Sequence, residues 1–229
     1  MAKILTGVDT ASEHSLFQPQ FPWVVFDMDG TLVDTFQLNL RSFGYAVKRT
    51  LTAEEALGIP SGTLEEELAS YVPRAAVPRA IERYHAHYKR HFHSETRVFP
   101  GIRTLLFRMR AGGIRLAVCT GASRQIAEFT LAQSELSQYF PTVVTGDDVK
   151  KPKPDPEGLR IAMEKTGARP DLTVYVGDHP NDIMAARTMS AQTAAAKWGS
   201  MHGSELQDLK PDFLFKHPFE ALTLSDFHL

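Results

Sequence analysis

From Gly113 onward, short apolar runs alternate with stretches of helical periodicity, and this alternation limits the possible folds more than any other feature. "IRLAVCT" is followed by "SRQIAEFTLAQSEL", "PTVVTG" by "DPEGLRIAMEKTG", and "LTVYVGD" by "PNDIMAARTMS". Strand-like runs separated by helix-length segments build βαβ units, so the expected class is α/β with a parallel sheet covered by helices. "AQTAAAKWG" and "DFLF" read as additional short edge strands.

Between Thr35 and Arg97 the texture changes. "FQLNLRSFGYAVKR", "LEEELASYV" and "VPRAIERYHAHYKRHF" are helix-like and follow one another without an intervening strand, which reads as a helical insert. Asp34 and Thr35 can cap its first helix, and Pro100-Gly101 can turn the chain into the next one. The expected division is an N-terminal extension over residues 1–20, a catalytic core over 21–35 and 98–229, and a helical cap over 36–97.

Size and charge exclude several classes. The 229 residues are 43% hydrophobic, enough to bury a substantial core. A formal charge of -2 gives no overall basic field, so nucleic acid is not expected as a partner. No apolar run approaches the ~18 residues that suggest a membrane span, and Asp9, Ser12, Glu13 and His14 interrupt any secretory h-region. The single cysteine, Cys119, has no intrachain partner for a disulfide. The expectation is a cytoplasmic protein with no membrane partner, acting on a small polar or anionic substrate.

The chemistry gathers where the apolar runs end, because ligands of open α/β sheets bind outside the carboxyl ends of the strands. "WVVF" ends in Asp27 and Asp29, "LAVC" in Thr120 and Gly121, "TVV" in "TGDDVKKPKPDP", and "VYVG" in Asp178 with Asp182. Carboxylates as close as Asp27 and Asp29 repel one another and call for a counter-charge. Asp27 and Asp178 form a natural pair for Mg2+, which prefers oxygen ligands. Asp27 can then act as a nucleophile toward phosphate, with Asp29 as a proton shuttle. Thr120 and Lys151 supply a donor and a positive charge for the phosphoryl oxygens. Gly30 and Gly121 let backbone amides approach closely, although glycine also serves simply to turn the chain.

These four strand ends resemble, in order, the motifs of the haloacid dehalogenase-like hydrolase superfamily, in its capped phosphatase branch. "DMDGT" is similar to D-x-D-G-T, "CTG" to the Thr/Ser strand end, "KKPKPDP" to the Lys of K-P-x-P, and "GDHPND" to G-D-x-x-x-D, with the likeness running from Val24 to about Asp212. The resemblance implies a Rossmann-like core and a cap that opens and closes over it. It implies Asp27 as nucleophile, Asp29 as general acid/base and, through its carbonyl, a metal ligand. Thr120 and Lys151 become the phosphate-binding pair, Asp178 a magnesium ligand, and Asp182 a further member of the metal site. Lys151 is chosen over Lys150 and Lys153 because it precedes Pro-Lys-Pro. An acid at position 29 distinguishes phosphatases from the dehalogenase and phosphonate-cleaving branches. "KWG" at 197–199, followed by "LKPDFLF", resembles the phosphoglycolate phosphatase and pyrophosphatase subgroup. His179 and Pro180 depart from the small hydroxyl residue often found after the motif Gly-Asp.

The expected activity is therefore a magnesium-dependent phosphomonoester hydrolase acting on a small phosphorylated metabolite. A phosphomutase or pyrophosphatase would use the same motifs, and a non-catalytic binding protein is the alternative of another class. Arg124, just after the Thr120 turn, is a candidate for touching a substrate anion. His85, His87, His91 and His93 fall on one helix, where His87 and His91 are spaced to share a metal, although a polar cap surface is the simpler reading. Cys119 reads as a buried thiol.

Overall fold

The computed structural model describes residues 19–57 and 62–225. The expected N-terminal extension thus lies outside the described residues except for Pro19 and Gln20. The strands are β1 (Trp23–Phe26), β2 (Val33–Asp34), β3 (Arg97–Val98), β4 (Arg115–Cys119), β5 (Thr142–Val144), β6 (Thr173–Gly177), β7 (Gln192–Ala196) and β8 (Phe213–Phe215). Six of them form one sheet in the order β5-β4-β1-β6-β7-β8, with every pairing parallel. The strands expected from "AQTAAAKWG" and "DFLF" are present as β7 and β8, but only β8 lies at an edge, because β7 is paired on both sides, with β6 and β8.

A parallel sheet is covered on both faces, which is why its strands read as continuous apolar runs. Val24, Phe26, Leu116, Val118 and Val176 face one core, where α5 (Ile102–Ala111) contributes Leu105, Leu106 and Met109. Val25, Ala117, Cys119 and Tyr175 face the other, against Leu159, Ala162 and Met163 of α7 (Glu157–Thr166). Each fully buried large side chain contributes roughly 1.5–3 kcal/mol.

The segment between β2 and β3 carries α1 (Phe36–Val47), α2 (Ala53–Leu57), α3 (Leu64–Ala69) and α4 (Val77–Glu95). These helices form the cap, and they bury Leu38, Phe43, Leu68, Tyr84, Tyr88 and Phe92 in a core of their own. On α4 the buried Val77, Ala80, Tyr84, Tyr88 and Phe92 recur at helical spacing and define one apolar stripe. A capping box between Thr63 and Glu66 starts α3. The cap core is continuous with α6 (Arg124–Gln133) of the sheet layer, which supplies Ile126, and Tyr88 Oη lies 2.9 Å from Thr130 Oγ1.

At the base of the cap β2 and β3 pair antiparallel, Val33 opposite Val98 and Asp34 opposite Arg97. Asp34 does not cap α1, contrary to expectation. It points across this short ladder to Arg97, 3.2 Å away, and Thr35 takes the N-cap position without a side-chain capping bond. The remaining helices are α8 (Pro180–Thr188) and α9 (Gly203–Asp208). No helix among the described residues is long and apolar enough to cross a membrane.

Candidate active site

Strand register brings the chemistry together. Phe26 pairs with Val118 on one side and Val176 on the other, and the Asp27 amide still bonds to the Val176 carbonyl at 2.8 Å. Asp27 therefore leaves the sheet beside the ends of β4 and β6, where Thr120 and Asp178 follow. The turn after Asp27 folds back on the Met28 carbonyl, which accepts from the amides of Thr31, Leu32 and Val33. Gly30 sits in this turn at φ +75°, and a Cβ there would lie 2.3 Å from the Asp178 carboxylate, so only glycine fits.

Asp27, Asp178 and Asp182 offer carboxylate oxygens that all lie within 4.8 Å of one another. Lys153 reaches into this group: its Nζ is 2.7 Å from Asp27 Oδ1, 2.7 Å from Asp182 Oδ1 and 3.2 Å from Tyr175 Oη. Burial pushes the Asp27 carboxyl up to about 7 against the pull of Lys153, and Asp182 adds to the rise. Asp178 is raised well above the ordinary carboxylate range by burial and by the charges of Asp27 and Asp182. Burial alone would lower Lys153, but Asp182 and Asp27 more than offset it and keep the ammonium charged. Three carboxylates face one ammonium, and the excess negative charge is what a divalent cation would neutralise.

Asp182 is fully buried and engaged on both oxygens. Oδ1 holds Lys153 and Tyr175, while Oδ2 accepts the His179 amide at 3.0 Å in the capping box of α8. It thus complements the helix terminus and belongs to the acidic cluster at once. His179 closes the loop by accepting the Asn181 amide on Nδ1, so the unusual His-Pro pair still caps a helix. Asp178 is steadied by Thr31 Oγ1 on Oδ1, at 2.9 Å, and by Ser200 Oγ on its carbonyl, at 2.5 Å. The "KWG" loop braces the same turn, since Trp198 Nε1 donates to the Thr31 carbonyl at 2.8 Å.

Asp29 points elsewhere. Its Oδ1 accepts from Thr35 Oγ1 at 2.5 Å and from Asn39 Nδ2 at 3.5 Å. Burial raises its pKa, and these two bonds oppose the rise. Thr120 is buried at the end of β4, its amide bonded to the Val144 carbonyl. With Gly121, Gly146 and Lys153 it lines a cleft that Gly62 and Thr63 approach from the cap.

Two expected residues are displaced. Lys151 borders the cleft, but its side chain is 76% exposed and its ammonium lies 3.9 Å from Asp155. The amides of Lys150 and Lys151 are pinned to Glu157 at the start of α7, and Lys153 is the lysine that turns inward. The sequence held a signal for this, because Lys153-Pro154-Asp155-Pro156 is a second K-P-x-P overlapping the first. Arg124 is engaged as well: its guanidinium is held by Asp148 at 2.6 Å and by Glu128 at 3.3 Å.

Among the described residues the aspartate cluster is the one group of three such ligands, and the cap histidines do not form another. His87 lies 3.0 Å from Ser42 and His85 3.1 Å from Ser123. Cys119 is buried, and burial pushes its thiol up to about 11, as suits a core residue. Thr31, the last residue of "DMDGT", and Thr35, expected only as a helix cap, both support the site, while Tyr175 and Asn39 do so without standing out in the sequence.

Residues 24–196 match the haloacid dehalogenase-like hydrolase family. The pyrophosphatase PpaX of Oceanobacillus iheyensis is 29% identical over 204 residues, covering 88% of this chain and 95% of that protein. A phosphoglycolate phosphatase of Nitrosospira multiformis is 31% identical over 213 residues, covering 88% and 94%. Among solved structures, CbbY from Rhodobacter sphaeroides in complex with phosphate superposes with a TM-score of 0.78 at 23% identity, covering 90% of this chain and 100% of that one. At that identity the likeness is one of fold.

Proposed function

Because this chain belongs to the haloacid dehalogenase-like hydrolases, we propose that it is a magnesium-dependent phosphomonoester hydrolase acting on a small phosphorylated metabolite through phospho-Asp27. The observation that carries this reading is the buried Asp27–Lys153–Asp182 arrangement beside Asp178, where one ammonium is paired with two of three clustered carboxylates. Asp27 and Asp178 would hold the cation, together with the Asp29 carbonyl, and Asp182 would anchor Lys153. Magnesium, when bound, supplies the charge that lets a phosphate dianion approach Asp27.

Lys153 and Thr120 orient the phosphoryl oxygens. An oxygen of Asp27 attacks phosphorus, the bond from phosphorus to the leaving oxygen breaks, and Asp29 gives its proton to that oxygen. Asp29 then takes a proton from water, which attacks phosphorus, releases inorganic phosphate and restores the Asp27 carboxylate. Burial raises the pKa of Asp29, the direction that favours a proton donor. Residues 36–97 act as the cap over this centre in the same reading.

The relatives named above make phosphoglycolate and pyrophosphate the first substrates to try, and sugar phosphates with a hexose acceptor test for phosphoryl return to sugar. Phosphate release from this panel is measured with magnesium and with chelator. Hydrolysis of at least one ester that chelator removes and Asp27→Asn abolishes is expected. Turnover that survives chelation, or no turnover of any compound, would overturn the proposal.

A further inference from the structure

Asp29 is held by a chain of polar groups that begins in the cap. Asn39 lies one turn after Thr35 on α1, with its amide bonded to the Thr35 carbonyl at 2.8 Å, so both side chains come to the same face and both reach Asp29 Oδ1. Asn39 Nδ2 also lies 3.4 Å from Thr35 Oγ1. The other end of the Asn39 amide meets α4, where Tyr84 Oη donates to Asn39 Oδ1 at 2.9 Å. Tyr84 is buried and stacks on Tyr88, ring centroids 6.0 Å apart, and Tyr88 reaches Thr130 on α6.

An Asn amide has two orientations, one with a donor and the other with an acceptor facing a given neighbour. With Oδ1 facing Asp29, two acceptors would oppose one another across the gap. The Tyr84 hydroxyl, donating to Oδ1, favours the orientation that turns Nδ2 toward the carboxylate. Both bonds to Asp29 fall on Oδ1, and among the described residues none is made by Oδ2. The carboxyl is thus fixed from one side and keeps its other oxygen for proton transfer.

We propose that Tyr84 and Asn39 are positioning residues for Asp29, with the Tyr84 hydroxyl setting the Asn39 amide that orients the carboxyl. The relay joins α4 to the acid, so the seating of the cap helix and the aim of the proton donor become one event. This rests on the phosphatase reading above.

The test compares kcat/KM for two esters in magnesium. The leaving group of 2,4-dinitrophenyl phosphate departs without a proton, whereas that of glycerol 2-phosphate needs one, so a misplaced acid harms only the second. Tyr84→Phe and Asn39→Ala are each expected to lower kcat/KM for glycerol 2-phosphate about tenfold or more and to change the aryl ester less than about twofold. The double variant is expected to be no worse than the weaker single one, because both act on one carboxyl. Equal losses on both esters would mean a structural role and overturn the inference, as would no loss on either. If the wild type cleaves neither these esters nor any compound of the panel above, the phosphatase reading falls and takes the inference with it. If the wild type is active, Asp27→Asn is dead and the variants show no ester dependence, the inference alone falls.

Discussion

Lys153 reaches Asp27, Asp182 and Tyr175 from one ammonium group, each within 3.2 Å, while Lys151 projects outward two residues earlier. Removing a preorganised donor from a transferring group typically costs ~10²–10³ in rate. Lys153→Ala should therefore lower kcat/KM by about a hundredfold or more, and Lys151→Ala should leave it within about threefold. Steady-state phosphate release on both variants, with circular dichroism to check folding, decides between the two lysines. This was the point at which the sequence was hardest to read. Both lysines begin a K-P-x-P, and only the pinning of the Lys150 and Lys151 amides to Glu157 distinguishes them. Asp27, Asp29, Thr120 and Asp178 were legible because each ends an apolar run that could only be a buried strand. The partners of Asp29 were not, since nothing in "FQLNL" or "RYHAHY" says that Asn39 and Tyr84 will meet.

At the scale of elements, the turn from β6 into α8 is where packing and chemistry are tightest. A Cβ on Gly177 would lie 2.3 Å from the Asp182 carboxylate, which also caps α8 and holds Lys153. Overpacking of this kind costs ~1–3 kcal/mol. Gly177→Ala should lower stability in urea by about that amount and remove most activity, because Asp182 cannot shift without releasing Lys153. The seam between α4 and α6 makes a milder prediction. Tyr88→Phe deletes the bond to Thr130 in a fully buried setting and should cost ~1–2 kcal/mol in the same measurement. The alternation of runs from Gly113 onward foretold β4 to β8 and the helices α6, α7 and α8, because burial on both faces leaves a strong apolar signature, but not the short α9. Asp34 was misread because two-residue strands carry no such signature, and its partner Arg97 lies on the far side of the cap.

For the whole molecule, the acidic cluster links folding, pH and metal. The folded Asp27 carboxyl, at about 7 against 3.8 for its ordinary value, holds its proton more tightly than the unfolded chain does. Its contribution to stability is therefore complete below the ordinary value and is lost as pH rises through about 7. Asp178, raised for the same reasons, acts in the same direction. A cation must displace these protons to bind, so its affinity rises with pH. Magnesium should accordingly raise the melting temperature more at pH 8 than at pH 5.5, read by thermal denaturation with chelator as the reference. An equal or larger shift at the acidic pH would contradict the assignment of the cluster as the metal site. The decisive chemical event is the passage of phosphate through Asp27. It is tested most directly by mixing enzyme, magnesium and a substrate from the panel, quenching in acid within the first turnover and mapping the phosphorylated peptide. Phosphate on Asp27, absent in Asp27→Asn, is the predicted result, and phosphate on any other residue would contradict it.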